Sequence, residues 1–279
     1  MAPNLSGKTI LTGVIGHPVT HSLSPRLHGF WIYQHNIDGA YVPLNVHPDD
    51  LQEVLKALSK MGFRGVNLTL PHKELVVPMV DTLDDTAKAA GAVNTILFEE
   101  GKAHGFNTDV FGFAQNLKSS VMGLAAYKEH ALIIGAGGAA RAACVALKNE
   151  GWKKITVTNR TKDRADALKT ALPFIHTIGW ETRQSLASVT LLVNATSLGM
   201  QGKESLDISL EKLPTSSLVH DIVYNPLQTP LLKAATERGN PTVDGIGMLL
   251  WQAKPAFEKW YGAKVEVNSN LREHVLKGI

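Results

Sequence analysis

Apolar residues in this chain fall into short continuous runs and helical stripes that alternate almost throughout, a pattern that predicts an α/β architecture. In the first third, residues 10–16, 40–46 and 65–70 read as strands and 25–36 and 49–61 as helices. The second of those helices places Leu51, Val54, Leu55 and Leu58 on one face, the period of a helix lying on a core. Residues 93–98 and 102–106 read as a hairpin around Glu100-Gly101, and 109–117 as a helix leading into a second series. There, strands are expected at 131–134, 154–158, 191–194 and 218–222, with 131–134 and 191–194 the apolar runs of strands covered on both faces, and helices at 139–150 and 162–172. Helices at 247–260 and about 271–276 close the chain, with no strand series left to join.

The pattern implies two α/β domains. One spans 1–108, completed by 247–279 packing back on it; the other spans 109–246 as a Rossmann-type nucleotide-binding domain. A length of 279 residues accommodates both. Hydrophobic residues at 44% and charged residues at 19% fit a soluble globular protein. A net charge of +3, without a basic stripe interleaved with aromatics, argues against nucleic acid. The first eight residues are polar, no apolar run reaches membrane-spanning length, and the one cysteine, Cys144, cannot form an internal disulfide. A cytoplasmic setting with no membrane partner is expected. Cys144 is expected to be a buried small hydrophobe, and Trp251, Trp260 and Tyr261 to be core residues.

The segment Gly65-Val-Asn-Leu-Thr-Leu-Pro-His-Lys73 carries the most chemistry. A strand ends in Pro71, and Lys73 follows at the start of a short helix predicted to run from 74 to 80. An amine held by that turn beside Asn67 and Thr69 suits proton transfer with a small polar substrate; the alternative is a solvated lysine, although a helix start disfavours cations. Between the first strand and first helix, Ser22 and Ser24 flank the helix entrance with Pro25 at its first turn, a seat for a carboxylate; Ser24 alone would serve as an ordinary cap. His17, His21 and His28 lie nearby without the acidic or cysteine partners of a metal site, so no metal is expected. Gly91-Ala-Val-Asn-Thr95 and Gly105-Phe-Asn-Thr-Asp109 each put Asn-Thr beside a strand end. Asp109 either caps the next helix or partners Lys73 in proton traffic, and the roles can coexist.

Gly135, Ala136, Gly137, Gly138 and Ala139 lie between a strand and a helix, the context in which a glycine turn receives a pyrophosphate. The next strand ends in Asn159, Arg160 and Thr161, with Arg164 one turn later, where an NAD site has an acid at the strand end. Two guanidinium groups there suit a 2′-phosphate and favour NADP. Asn194-Ala-Thr-Ser197 follows a third strand and fits a loop crossing a cofactor.

Taken together and in order, His21-Ser-Leu-Ser-Pro25, Asn67-Leu-Thr-Leu-Pro-His-Lys73, Gly91-Ala-Val-Asn-Thr95, Asn107-Thr-Asp109, Gly135-Ala-Gly-Gly-Ala139, Asn159-Arg-Thr161, Asn194-Ala-Thr-Ser197 and Asp244-Gly-Ile-Gly-Met-Leu249 through Gln252 resemble the shikimate dehydrogenase family over essentially the whole length. The resemblance implies reversible NADP-dependent reduction of 3-dehydroshikimate to shikimate in aromatic amino-acid biosynthesis. It also implies roles: Ser22 and Ser24 on the substrate carboxylate with Tyr224 near it; Thr69, Asn94, Asp109 and Gln252 on ring hydroxyls; Lys73 as acid/base with Asp109. Residues 135 to 139 would hold the pyrophosphate, the segment Asn159, Arg160 and Thr161 with Arg164 the adenosine phosphate, and Ile222 and Gly245 the nicotinamide end. Family members often carry Met at 222 and valine or isoleucine at 68 and 70; Ile222, Leu68 and Leu70 are conservative departures. The small molecule is the expected partner, with the chain a monomer or homodimer.

A quinate/shikimate dehydrogenase is the nearest alternative; Ser24, where quinate-using relatives often show threonine, and the Arg160–Arg164 pair weigh against it. A non-catalytic sensor of shikimate-type metabolites is disfavoured because both the lysine and the glycine turn are retained. A methylene-tetrahydrofolate dehydrogenase is disfavoured by the paired serines and Asn107-Thr-Asp109.

Overall fold

A computed structural model describes residues 5–279. The first four residues of the polar N-terminal stretch lie outside the described residues. The chain divides into two compact units, one running to Thr108 and resuming at Leu249–Ile279, the other Asp109–Met248.

The first unit holds strands β1 (Ile10–Gly16), β2 (Gly39–Asn45), β3 (Phe63–Leu68), β4 (Thr82–Leu83), β5 (Thr95–Glu99) and β6 (Lys102–Phe106) in one sheet of order β2-β1-β3-β5-β6-β4. β1 pairs parallel with β2 and β3, while β5 runs antiparallel to β3 and β6. Helices α1 (Ser24–Gln34), α2 (Leu51–Lys60), α3 (His72–Leu75) and α4 (Asp85–Ala90) connect these strands. Leu51, Leu55 and Leu58 of α2 are buried in a cluster with Ile15, Val66, Leu68 and Ile96, and Val54 packs against its margin. The helix expected over residues 74–80 is one turn of α3 followed by a tight turn at Val77–Met79, because Pro78 removes an N–H and constrains the residue before it. β3 stops at Leu68, and Leu70 lies exposed beyond it rather than continuing the apolar alternation.

In the second unit β7 (His130–Ile134), β8 (Lys154–Thr158), β9 (His176–Thr177), β10 (Leu191–Asn194), β11 (Leu218–Asp221) and β12 (Thr242–Val243) form a parallel sheet of order β12-β11-β10-β7-β8-β9. That is the doubly wound dinucleotide-binding order, with its switch point between β7 and β10. Helices α5 (Asp109–Ser120), α6 (Gly138–Asn149), α7 (Lys162–Ala171) and α8 (Pro230–Glu237) belong to this unit. Cys144 is fully buried within α6, and burial pushes its thiol up to about 12, out of reach of nucleophile chemistry at neutral pH.

The last two helices are α9 (Ile246–Tyr261), which joins the first unit from Leu249 onward, and α10 (Ser269–Leu276). The Trp260 indole donates to the Ile96 carbonyl at 2.9 Å, and the Tyr261 hydroxyl meets Thr12 Oγ1 at 2.7 Å. Trp260 is thus a core residue, while Tyr261 and Trp251 are half-buried. Among the described residues no helix is long and apolar enough to cross a membrane.

His28 is fully buried in an aromatic nest of Trp31, Tyr41, Phe257 and Trp260, stacked on Tyr41 with ring centroids 4.1 Å apart. Neither ring nitrogen has a hydrogen-bond partner, and burial lowers its pKa to about 3. A chain unfolded at pH 5 protonates this imidazole while the folded chain does not, so stability falls as pH drops below about 6.5, by about 1.4 kcal/mol per pH unit for one proton. His28→Phe removes that proton uptake. Between pH 7 and pH 5 the variant's loss of unfolding free energy in urea is expected to be smaller than the parent's by about 2 kcal/mol. Equal losses would mean His28 titrates alike in both states.

Candidate active site

The first unit gathers its polar residues along one sheet edge. β1 and β3 end there, the antiparallel β5 begins there, and β6 ends there, since Asn67 pairs with Thr95 and Thr95 with Phe106. β1 and β3 are buried on both faces as they reach this edge, so polar groups collect where the strands stop.

Gly16 closes β1 against Thr69: a Cβ added at Gly16 would lie 2.5 Å from the threonine methyl. Thr69 N–H donates to Ile15 O at 2.9 Å and His17 N–H to Leu70 O at 3.1 Å, so the two turns are laced together. In the turn after β1, Ser22 Oγ accepts from the Ser24 N–H at 3.3 Å. Neither serine caps α1. Leu23 occupies the cap position with no side-chain bond, and Ser24 is the first helical residue, buried. The Ser24 hydroxyl is therefore spared from capping, while Ser22 Oγ takes the N–H of the first helical residue. His17 and His21 are exposed and His28 is in the core. Among the described residues no cluster of three or more His, Cys, Asp or Glu could hold a metal ion.

Lys73 is the second residue of α3 and half-buried. Its turn is fixed on three sides: His72 N–H donates to Thr69 O at 2.9 Å, the buried His72 Nε2 meets Val46 O at 3.0 Å, and Val93 N–H donates to Lys73 O at 2.8 Å. The last bond ties the lysine to the segment that carries Asn94. Asn94 is 1% exposed, and its Nδ2 donates to Thr108 Oγ1 at 2.9 Å and Gln252 Oε1 at 3.2 Å. Its Oδ1 accepts from Thr108 N–H at 2.8 Å. Both amide hydrogens being engaged, Asn94 meets a further hydroxyl through Oδ1 or by exchanging the bond to Gln252. Gln252, on α9, donates in turn to Leu249 O.

Among the expected site residues, Ser22, Ser24, Thr69, Lys73, Asn94 and Gln252 belong to the first unit; Asp109, Tyr224 and the whole cofactor set belong to the second. Asp109 is the first residue of α5 and is buried.

In the second unit the ends of β7, β8, β10 and β11 again share one edge. Gly135 follows β7 with φ +119°, and a Cβ there would come within 2.8 Å of Ala195 O, which only glycine avoids. Ala136 is buried, and Gly137, at the N-cap of α6, has no heavy atom within 4 Å of where a Cβ would be. No side chain caps α6, so its first-turn N–H groups and the open space at Gly137 suit an incoming anion; Gly138 and Ala139 open the helix. After β8, Asn159 Nδ2 donates to Thr161 O at 2.8 Å. Arg160, Thr161 and Arg164 are exposed, and neither guanidinium is in an ion pair among the described residues. A glycine cradle beside two such cations fits a dinucleotide bearing an extra phosphate.

One group at this edge has no counterpart in the expectations. Asp221 ends β11 fully buried, accepting from Asn194 Nδ2 at 3.0 Å, Thr229 Oγ1 at 2.7 Å and Val223 N–H at 3.0 Å. Burial raises its pKa to about 6 against those bonds. It pins the Asn194 loop to the turn that presents Ile222, whose carbonyl lies 2.3 Å from where a Cβ on Gly245 would be. An acid closing a short strand that opens Leu218-Val219 was its sequence signal.

A Rossmann unit with an anion cradle, together with a second α/β unit that carries a lysine turn, hydroxyls and carboxamides at one sheet edge, defines a nicotinamide-dependent dehydrogenase. Residues 14–96 match the family described as shikimate dehydrogenase substrate binding domain, and residues 116–201 the family shikimate / quinate 5-dehydrogenase. A shikimate dehydrogenase (NADP(+)) of Paramagnetospirillum magneticum is 50% identical over 98% of this chain and 100% of its own. The shikimate 5-dehydrogenase of Thermus thermophilus in complex with NADP(H) and shikimate superposes with a TM-score of 0.87 at 36% identity, covering 97% and 100% of the two chains. A quinate dehydrogenase of Corynebacterium glutamicum in complex with NAD gives 0.88 at 31% identity, covering 96% and 99%. The chain belongs to the shikimate dehydrogenase family.

Proposed function

We propose that this chain catalyses the reversible NADP-dependent reduction of 3-dehydroshikimate to shikimate, in aromatic amino-acid biosynthesis. The observation that carries the reading is the sheet edge of the first unit, where Ser22, Thr69, Lys73 and Asn94 stand in turns laced by backbone hydrogen bonds, Ser24 opens α1, and Gln252 on α9 bonds Asn94. Residues 1–108 with 247–279 then bind the substrate, and 109–246 bind NADP. A cytoplasmic location and a monomeric or homodimeric state belong to the same proposal.

Bound at the glycine turn, NADPH supplies the hydride that reduces the ketone carbon. The chain's residues do the rest. Ser22 and Ser24 donate to the substrate carboxylate, with Tyr224 near it, and Thr69, Asn94, Asp109 and Gln252 fix the ring hydroxyls. Lys73 stabilises the alkoxide and donates its proton; in oxidation the neutral amine takes the proton back. Asp109 orients the amine. Residues 135 to 139 hold the pyrophosphate, and Asn159, Arg160, Thr161 and Arg164 the adenosine phosphate. Ile222 and Gly245 wall the nicotinamide.

The quinate-using alternative shares the scaffold, and the unpaired Arg160 and Arg164 favour NADP over the NAD of the quinate dehydrogenase. Steady-state rates with shikimate or quinate, each with NADP or NAD, are expected to give kcat/KM for shikimate with NADP at least about a hundredfold above every other pair, the scale set by unpaired buried polar groups and a lost phosphate contact. A preference for quinate, or for NAD, would move the chain to the alternative.

A further inference from the structure

A buried side chain outside all of the roles above supports the hydroxyl end of the substrate edge. Tyr41 lies on β2, 8% exposed, and its hydroxyl is 2.7 Å from Asn67 Oδ1. Asn67 Nδ2 donates to Asn94 O and to Thr95 Oγ1, each at 3.0 Å. A carbonyl oxygen only accepts, so the bond to Asn94 O sets the orientation of the Asn67 amide. The phenol must therefore donate to Oδ1. Beyond Asn67 the chain of bonds continues: Thr95 Oγ1 donates to Asn94 Oδ1 at 3.1 Å, and Asn94 reaches Thr108 and Gln252. His28 stacks on the other side of Tyr41 with the ring planes 3° from parallel, which locks the phenol's rotation.

We propose that Tyr41 is a positioning residue for the substrate: its phenol orients the Asn67 carboxamide and so fixes the Asn94 and Thr95 groups at the end of the edge that holds the ring hydroxyls. The inference rests on the proposed substrate reading of that edge. Asn67 has both amide hydrogens committed and one oxygen occupied by the phenol, so it transmits position. Without the phenolic hydrogen its Oδ1 is left unpaired in the core, free to shift the Asn94 carbonyl and Thr95.

Tyr41→Phe deletes one oxygen and keeps the ring stack. In the full-length enzyme it is expected to raise KM for shikimate roughly tenfold, the scale of one lost buried hydrogen bond, with KM for NADP unchanged. The Tyr41→Phe/Thr95→Val double variant should lose less than the product of the two single losses, because both cut one chain. Thr95→Val cuts the same chain on the far side of Asn67 and should give the same KM split, which keeps the test alive if Tyr41→Phe fails to fold. Unchanged KM for shikimate in the folded variants, or parallel rises in both KM values, overturns the proposal. Absence of shikimate activity in the parent would instead overturn the substrate reading on which it rests.

Discussion

Lys73→Ala is expected to lower kcat for shikimate oxidation by about a thousandfold, within the range for removing a positioned general acid/base, while the dissociation constant for NADP stays at the parent value. The physical reason is local. The Lys73 turn is held by the Thr69, His72 and Val93 backbone bonds, none of which needs the amine, so truncation removes the proton carrier and leaves the turn standing. The cofactor residues belong to the other compact unit, Asp109–Met248. Lys73→Arg sharpens the test: arginine keeps the positive charge and cannot give up its proton near neutral pH. If charge alone served the alkoxide, Lys73→Arg would recover most of the activity; proton transfer predicts that it stays near Lys73→Ala. Equal losses in kcat and in NADP affinity would count against the assigned role.

The second large effect concerns the cofactor. Replacing both Arg160 and Arg164 by alanine is expected to raise KM for NADP roughly a hundredfold, from the loss of charge-assisted bonds to a phosphate discounted for their exposure. KM for NAD should change little, because that molecule offers nothing for the guanidinium groups to hold. The backbone here does not depend on the two side chains: Asn159 bonds Thr161 O, and Arg164 contributes its N–H to the turn. The measurement is the NADP/NAD ratio of kcat/KM in the double variant against the parent. A fall in both cofactors together would indicate a damaged α7 start instead of a lost phosphate contact.

How much of this was legible in the sequence follows from period and length. Strand β10 stands at the expected residues because it is an apolar run closed by Asn194, β8 because four of its five residues are β-branched, and α2 because its leucines recur at helical spacing. The two-residue strands β4, β9 and β12 are too short to carry a period and were missed. Two omitted helices did have signals. Asp84 caps α4 by accepting from Ala87 N–H, with Gly91 in the left-handed conformation at its end; Thr229 caps α8 just before Pro230. At the site, motifs on consecutive residues were readable: the Lys73 turn, the glycine turn and the arginines. Groups assembled across the sheet were not. Tyr41 and Asn67 meet 26 positions apart, and Asp221 and Asn194 meet 27 positions apart, so only strand order brings them together. The alternative reading of Ser24 as the helix cap is not seen: Leu23 takes the cap position, since the chain enters α1 already in helical conformation.

The most direct test of the central assignment is a crystal structure of the chain with NADP and shikimate bound together. The account predicts Lys73 Nζ within about 3 Å of the hydroxyl that is oxidised, the Asp109 carboxylate beside the same hydroxyl, and the carboxylate of shikimate on Ser22 and Ser24. A bound shikimate whose reacting hydroxyl faces other groups, with Lys73 turned to solvent, would contradict it.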